Sequence, residues 1–272
     1  MVPEPILTHY RIARVHSAVS APRPLVFAHR GGSKLGPENT ITAFDRGLAA
    51  GADGLELDVH LSRDGVVVVH HDRLLDRTTS AKGPVNERTA ADLGKLDVPL
   101  LRDVLARYPR RKIIVELKES SAALARAVVD EVRRAKAVEH VCLGSFSDAA
   151  LSAARAYGPE IATSGGRRGV RMALYRSWCY LSPGNVPYQA LQVPETSGNT
   201  RVVTPRFVKM AHKAGVVVQV WTVDEANDIR RLLDWGVDGI ISDRPDVASK
   251  VLRDWLDGRS SIIDRRSSIV DR

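Results

Sequence analysis

The residues best suited to chemistry are two histidines, an arginine and two carboxylates within residues 29–71. His29 and Arg30 close one apolar run, Glu56 and Asp58 lie in the next, and His71 closes a third. Imidazole takes up or releases a proton near neutral pH, and carboxylates bind cations. This combination is typical of metal-assisted chemistry on a phosphate group.

The carboxylates predict a metal site. Glu56 and Asp58 leave the same face of a strand, about 7 Å apart at the backbone, and carboxylates this close repel each other unless a cation or a shared proton lies between them. Glu116 adds a third oxygen ligand. Three hard oxygen ligands without cysteine fit Mg²⁺ or Ca²⁺ better than zinc. The alternative is that Glu56 pairs with Arg30 and Asp58 with Lys118, without a metal.

Two cations at predicted strand ends suit a phosphodiester. Arg30 follows His29 directly, and Lys118 lies two residues after Glu116. A guanidinium and an ammonium can bind the two unesterified phosphate oxygens and neutralise charge that builds in the transition state. Either residue alone is more often part of a surface salt bridge.

The neighbours of His71 have weaker assignments. His70 points to the other side of the strand and is predicted to pack. Asp72 orients an imidazole ring or forms an Asx turn. Glu38 lies in the loop before the first predicted helix, where it shapes the rim and can contact a histidine or a glycerol hydroxyl.

Short β-branched runs alternate with segments of helical period from residue 25 onward, which predicts a parallel sheet covered by helices. Polar residues follow many different strands rather than meeting at one crevice, which favours a closed (β/α)8 barrel over an open doubly wound sheet. The predicted strands are 25–29, 54–58, 66–71, 112–118, 140–145, 160–163, 189–193, 216–222 and 238–242.

Two details depart from a regular barrel. The segment from Val59 to Gly65 is too short for a helical crossover, so the second and third strands must be joined differently. Nine predicted strands also exceed eight, and we expect the short or external strand to be 160–163 or 189–193.

A chain of 272 residues fits a single barrel domain, which we place at 25–257. Residues 1–24 form a predicted leader, and residues 258–272 a polar, internally repeated tail. Two cysteines make no disulfide framework, and neither a signal peptide nor an apolar membrane span is evident. We therefore expect a cytoplasmic protein without a transmembrane segment.

The formal net charge of +8 does not indicate a nucleic-acid partner. All of the excess lies in residues 1–24, 165–176 and 258–272, two of which are predicted tails. The third overlaps residues 167–181, where four arginines occur among aromatic and aliphatic side chains. This segment is either an interfacial lid that contacts anionic lipid or an ordinary barrel helix with a solvated basic face.

The order of these motifs over residues 25–250 resembles the glycerophosphodiester phosphodiesterase family. The matching motifs are His29-Arg30-Gly31, Pro37-Glu38-Asn39-Thr40, Glu56-Leu57-Asp58, His70-His71-Asp72, Glu116-Leu117-Lys118, Val220-Trp221-Thr222 and Asp238-Gly239-Ile240-Ile241-Ser242-Asp243.

The resemblance implies a TIM barrel of the phospholipase-C-like phosphodiesterase type. It also implies one divalent ion at Glu56, Asp58 and Glu116, and acid–base catalysis by His29 and His71. Without the resemblance Trp221 would be assigned to the core; with it, Trp221 is expected to line the pocket beside the alcohol part of the substrate.

The leading hypothesis is a metal-dependent hydrolase that cleaves glycerophosphodiesters into glycerol 3-phosphate and an alcohol. Water attacks phosphorus directly, or a substrate hydroxyl attacks first and gives a cyclic phosphate. One alternative is a lysophospholipase D that acts on lysophospholipids. Another is an inactive barrel that only binds phosphoesters.

Overall fold

The structure is a computed structural model that describes Val19 and residues 23–270, with side chains as far as residue 259. Most of the predicted leader and the side chains of residues 260–272 in the predicted tail lie outside the described residues. The division into leader, barrel and tail therefore stays a prediction.

Strands and helices alternate along the chain, with two short 3₁₀ turns at Leu75–Arg77 and Val85–Glu87. In chain order the elements are β1 (Leu25–His29), α1 (Ile41–Ala49), β2 (Gly54–Leu61), β3 (Val67–Val69), α2 (Ala90–Gly94), α3 (Leu101–Arg107), β4 (Lys112–Leu117), α4 (Ala122–Arg134), β5 (Val141–Gly144), α5 (Asp148–Tyr157), β6 (Ala162–Thr163), α6 (Arg167–Trp178), β7 (Ala190–Pro194), β8 (Thr196–Ser197), β9 (Thr200–Arg201), α7 (Pro205–His212), β10 (Val217–Trp221), α8 (Ala226–Asp234), β11 (Gly239–Ser242) and α9 (Pro245–Val270).

Eight parallel strands form the barrel that the sequence predicts. They pair in the order β6, β5, β4, β2, β1, β11, β10, β7. A parallel bridge between Ser164 and Ala190 joins the two ends of this order and closes the ring. The chain is thus a single-domain TIM barrel.

The irregular connection after β2 is an antiparallel hairpin. Val59 pairs with Val69 and Leu61 with Val67, so β3 turns back along β2 outside the ring. This confirms the predicted irregularity and corrects the predicted extra strand. The external strand is β3, whereas 162–163 and 190–194 both belong to the ring, although β6 is only two residues long.

Alternation along β2 separates the core from the site. Leu55, Leu57 and Val59 are buried in the large cluster between the strands and the helices. Because successive side chains on a strand point in opposite directions, Glu56 and Asp58 point into the barrel.

The barrel interior is apolar below the site. Phe27 and Ile114 pack there, and Cys142 and Val217 lie in a separate cluster with Val19. Gln219 also donates a hydrogen bond from Nε2 to the carbonyl oxygen of Val19, at 3.2 Å. One residue of the predicted leader is therefore packed against the barrel.

The cysteines and the last helix bear on the remaining predictions. Cys142 and Cys179 are both free thiols, the first buried and the second exposed. Helix α9 continues to Val270, so helical backbone extends into the predicted tail. Within the described part of the chain, no helix has both the length and the apolar character needed to cross a membrane.

Candidate active site

Strand register places the predicted residues side by side. His29 on β1 lies opposite Glu56 on β2, and Asp58 on β2 lies opposite Glu116 on β4. The carboxyl ends of parallel strands meet at one end of a barrel. Four of the predicted site residues are therefore neighbours although they come from three separate strands.

The turn after β1 aims Arg30 at the mouth of the barrel. Arg30, Gly31 and Gly32 have φ values of 51°, 88° and 90°, in the left-handed region that favours glycine. A Cβ on Gly31 would lie 2.8 Å from the backbone of Ala43. In this conformation the backbone N–H of Arg30 donates to Glu56 Oε2 at 3.0 Å.

Three carboxylates form a cluster at the centre of the mouth. Oxygens of Glu56, Asp58 and Glu116 lie within 4.8 Å of one another. Burial, together with the charge of Asp58, raises the pKa of Glu56 to about 8. Burial also raises the pKa of Glu116, although Lys118 lies beside it. Burial thus disfavours the charged form of two of the three carboxylates, and a bound cation would offset this.

Asp58 is the best-anchored member of the cluster. Asn39 donates to its Oδ2 at 2.9 Å, and Asn39 Oδ1 accepts from its backbone N–H at 3.3 Å. Arg30 Nε lies 3.4 Å from Oδ2, and Lys118 Nζ lies 3.3 Å from Oδ1. Lys118 also donates to Glu116 at 3.3 Å. Asp58 is therefore fixed in place by groups from three segments of the chain.

The metal-free alternative is only partly matched. Asp58 does pair with Lys118, but Glu56 accepts from the backbone of Arg30 rather than from its guanidinium. Two buried carboxylates and the half-buried Glu116, with two nearby cations and a raised pKa at two of the three carboxylates, form a donor set that fits a hard divalent cation.

His29 is held between two carboxylates. Its Nδ1 lies 2.6 Å from Asp243 Oδ1, and its Nε2 lies 3.8 Å from Glu56 Oε2. Burial by itself lowers the pKa of His29, but the charge of Glu56 and the hydrogen bond to Asp243 together outweigh burial and raise it. Asp243 therefore both orients the ring and favours its protonated form.

His71 has the same kind of support on the other side of the mouth. Its Nδ1 lies 2.6 Å from Asp72 Oδ1, and Arg77 donates to Asp72 Oδ2 at 2.6 Å. Arg77 holds the pKa of Asp72 well below its usual range. Burial lowers the pKa of His71, more than the nearby carboxylates raise it. Of the two roles considered for Asp72, the structure thus shows contact with the ring.

Glu38 joins the two sides of the mouth through arginines. It accepts hydrogen bonds from Arg30 at 3.1 Å and from both terminal nitrogens of Arg77, at 2.9 and 2.6 Å. Its partners in the structure are thus cations rather than a histidine. The predicted contact with a glycerol hydroxyl stays a prediction.

Two further histidines have structural partners: His70, directly after β3, and His60, on β2. His70 contacts the carbonyl oxygen of Asp72 and the hydroxyl of Thr78, and His60 contacts Glu119 and the carbonyl oxygen of His71. This agrees with the prediction that His70 packs.

The site opens into a cleft of about 960 Å³. Trp221 forms part of its wall and meets Phe146 edge-on, with ring centroids 5.8 Å apart. One stripe of α6 also lines the cleft, through Val170, Leu174 and Trp178. Helix α6 is thus a regular helix of the barrel, and it also borders the site.

In the sequence analysis, Asp243, Arg77 and Phe146 received no role, and Asn39 was named only as part of a motif that carries the resemblance. Asp243 ends a motif used for the resemblance, and its position after a strand was a usable signal. Arg77 and Phe146 lie in loops, and no spacing rule connects them to the site.

Comparisons with known proteins identify the family of this chain. Residues 29–247 match the model of the glycerophosphoryl diester phosphodiesterase family. A glycerophosphodiester phosphodiesterase from Caldanaerobacter subterraneus is 31% identical over 251 residues, which cover 85% of this chain and 98% of the relative. One from Bacillus altitudinis is 32% identical over 245 residues, covering 83% and 97%.

A solved structure of a similarly named protein also matches this chain. The glycerophosphodiester phosphodiesterase from Agrobacterium tumefaciens superposes with a TM-score of 0.69 at 26% identity, covering 84% of this chain and 98% of that one. The matched region contains every catalytic, phosphate-binding and metal-binding residue predicted above. The chain therefore belongs to the glycerophosphoryl diester phosphodiesterase family and is a phosphoric diester hydrolase.

Proposed function

We propose that this enzyme hydrolyses glycerophosphodiesters to glycerol 3-phosphate and an alcohol, with a divalent cation and two histidines. The observation that carries the proposal is the single cleft that holds His29, His71, Lys118 and the carboxylates Glu56 and Glu116. Two relatives that align over most of this chain bear the name of this activity.

Glu56, Asp58 and Glu116 would hold the cation, Mg²⁺ or Ca²⁺. When bound, the cation supplies a positive charge that polarises a phosphoryl oxygen. The oxygen-only donor set supports either ion over zinc. The raised pKa of Glu56 is expected to fall when a cation neutralises the cluster.

Arg30 and Lys118 bind the unesterified oxygens of the diester. Both line the cleft, and each already contacts Asp58, at 3.4 and 3.3 Å. Because they are held by the same carboxylate, their positive charges lie close enough to act on one phosphate group. They orient phosphorus and neutralise the charge that increases on its oxygens.

The histidines move the protons. One accepts a proton from the attacking water, and the other delivers a proton to the departing alkoxide. In both rings Nδ1 lies against a carboxylate, Asp243 for His29 and Asp72 for His71. These contacts fix the ring orientation and leave Nε2 for the reacting oxygen.

Trp221 contacts the alcohol part of the substrate. It lies on the cleft wall beside Phe146, where its ring offers an apolar surface next to the phosphate-binding residues. Glu38 fixes Arg30 through their 3.1 Å hydrogen bond and so positions the guanidinium for the phosphate. Its contact with a glycerol hydroxyl is part of the same proposal.

Product identity tests the reaction. With glycerophosphocholine, cleavage on the choline side of phosphorus releases glycerol 3-phosphate and choline. Cleavage on the other side releases glycerol and phosphocholine instead, and that product pair would contradict the proposal. Choline release from lysophosphatidylcholine, measured in parallel, would support the lysophospholipase D alternative if it exceeds release from glycerophosphocholine.

The predicted cytoplasmic location is part of this proposal and is supported by the low cysteine content. Cell fractionation with an antibody against the chain tests it. Recovery with secreted or periplasmic proteins would contradict it.

A further inference from the structure

Exposed apolar side chains are concentrated beside the cleft. Of eight large apolar residues that are highly exposed among the described residues, six belong to Phe146 and the segment 167–181. Together we call Phe146 and residues 167–181 the basic–aromatic surface. Its exposed apolar members are Phe146 (46%), Met172 (57%), Tyr175 (50%), Trp178 (48%), Tyr180 (69%) and Leu181 (50%).

The same surface is positively charged. Segment 167–181 contains four arginines and no acidic residue. Arg167, Arg168 and Arg171 are exposed, and none of them forms an ion pair within the described chain. Asp148 accepts a hydrogen bond from the backbone N–H of Arg168 rather than from its guanidinium. The guanidinium groups are therefore available to an anionic partner.

The exposed aromatic rings of this surface pack against neighbouring side chains. Tyr175 and Trp178 lie 5.2 Å apart between ring centroids. Arg167 stacks over Phe146 at 5.3 Å, and Arg206 stacks over Tyr180 at 4.8 Å. Helix α6 supports them through its buried residues Ala173, Leu174 and Ser177.

We propose that the basic–aromatic surface docks on an anionic phospholipid bilayer. Arginines suit anionic headgroups, while tryptophan and tyrosine prefer the boundary between headgroups and acyl chains. Exposed Met172 and Leu181 add aliphatic surface that a bilayer accepts. A nucleic acid would use the arginines and rings but not these aliphatic side chains.

Docking would bring the cleft to the membrane. Phe146, Tyr175 and Trp178 line the cleft as well as belonging to the surface, so the mouth opens where the bilayer would lie. This adds a location for the reaction to the proposed function. The docking itself does not depend on that function, because it is measured without turnover.

Vesicle sedimentation tests the proposal. The full-length protein is mixed with vesicles of phosphatidylcholine alone or of phosphatidylcholine with phosphatidylglycerol. We expect binding to the anionic vesicles, weaker binding to the neutral ones, and loss of binding at high salt. Equal binding to both vesicle types, or none to the anionic vesicles at low salt, would overturn the proposal.

Two variants locate the surface without changing cleft-lining residues. Arg168→Glu should weaken binding at least fivefold, since each basic residue contributes about a factor of five. Tyr180→Asn removes the most exposed ring and keeps a residue that tolerates its left-handed φ of 58°. Both should keep the wild-type melting temperature and turnover of soluble glycerophosphocholine.

Matched controls separate this surface from general charge or aromatic effects. Arg102→Glu on α3 makes the same charge change elsewhere, and Tyr157→Asn removes an exposed ring from α5. Both should bind vesicles like the wild type. If Arg168→Glu and Tyr180→Asn bind like the wild type, or if binding is lost only when residues 258–272 are deleted, the surface is assigned wrongly. Binding of single-stranded RNA instead of vesicles, weakened by the same variants, would also overturn the proposal.

Discussion

At the scale of single residues, the two histidines at the mouth of the barrel make similar contacts. Each has Nδ1 at 2.6 Å from an aspartate, yet their pKa values shift in opposite directions. Glu56 lies close to His29 and favours its protonated form, whereas burial dominates at His71. The surroundings of the two rings thus favour opposite protonation states before a cation binds.

Removing either ring should abolish turnover. We expect His29→Ala and His71→Ala to lower kcat/KM for glycerophosphocholine by about 10²–10⁴-fold, the usual contribution of a proton-transfer residue. Circular dichroism should show an intact fold. His140→Ala, just before β5 at the opposite end of the barrel, is the control and should be active. Near-normal activity of either site variant removes that residue from the mechanism.

The hydrogen bond between Asp72 and His71 should appear in the pH profile. Asp72 raises the pKa of His71 against the larger effect of burial, so Asp72→Asn should lower this pKa further. The limb of the kcat/KM profile that belongs to His71 then moves to lower pH. If His71 is the base, the acidic limb moves; if it is the acid, the alkaline limb moves.

Asp103→Asn, an exposed carboxylate on α3, should leave both limbs in place. A shift of a limb to higher pH in Asp72→Asn, or no shift of either limb, would contradict the role given to Asp72.

At the scale of elements, the turn after β1 determines where Arg30 lies. Gly31→Ala places a Cβ 2.8 Å from Ala43 and forces a non-glycine residue to φ +88°. We expect it to destabilise the fold by about 1–3 kcal/mol and to weaken substrate binding through Arg30. Thermal unfolding and KM measure these effects.

Gly94→Ala is the matched control for this turn. It lies in α2 with no atom within 4 Å of its added Cβ, so it should not lower the melting temperature and should leave KM unchanged. Equal effects of the two substitutions would show that the turn geometry is not responsible.

Much of the order of strands and helices could be predicted from the sequence, for physical reasons. Alternation on β2 indicated which side chains enter the barrel, and the seven residues from Val59 to Gly65 excluded a helical crossover. The sequence did not identify β3 as the external strand, because an apolar run has the same composition in a hairpin as in the ring. Only pairing with β2 distinguishes them.

The carboxylates of the site were predictable because they lie on strands, whereas a supporting residue such as Arg77 comes from a loop and was not. Glu56, Asp58 and Glu116 could be predicted because parallel strands end together. The contact of Arg77 with Glu38 and Asp72 depends on how a loop folds over the mouth. The periodicity of apolar residues along the sequence does not predict such a contact.

At the scale of the whole molecule, α9 connects the barrel to the predicted tail. Several of its described residues before 258 contact the barrel. Val251 and Leu252 are buried, and Trp255 donates to Asp234 at 2.8 Å. We expect deletion of residues 258–272 to leave kcat/KM for glycerophosphocholine and the oligomeric state unchanged. A large loss of activity would mean that the tail helps to assemble the enzyme.

Positive charge is unevenly distributed along the chain, and part of it lies beside the site. The excess of positive charge lies in three segments, and 165–176 borders the cleft while the carboxylate cluster lies within it. We expect this cluster to act through a divalent cation during diester hydrolysis.

The most direct test treats the enzyme with a chelator and measures glycerol 3-phosphate release from glycerophosphocholine. The release is measured before and after Mg²⁺ or Ca²⁺ is restored. We expect activity to disappear with the chelator and to return with one of the ions. Glu56→Gln should require more ion and stay slower, whereas Glu87→Gln, an exposed control, should behave like the wild type. Full activity in the presence of the chelator, with no response to added ion, would contradict the account.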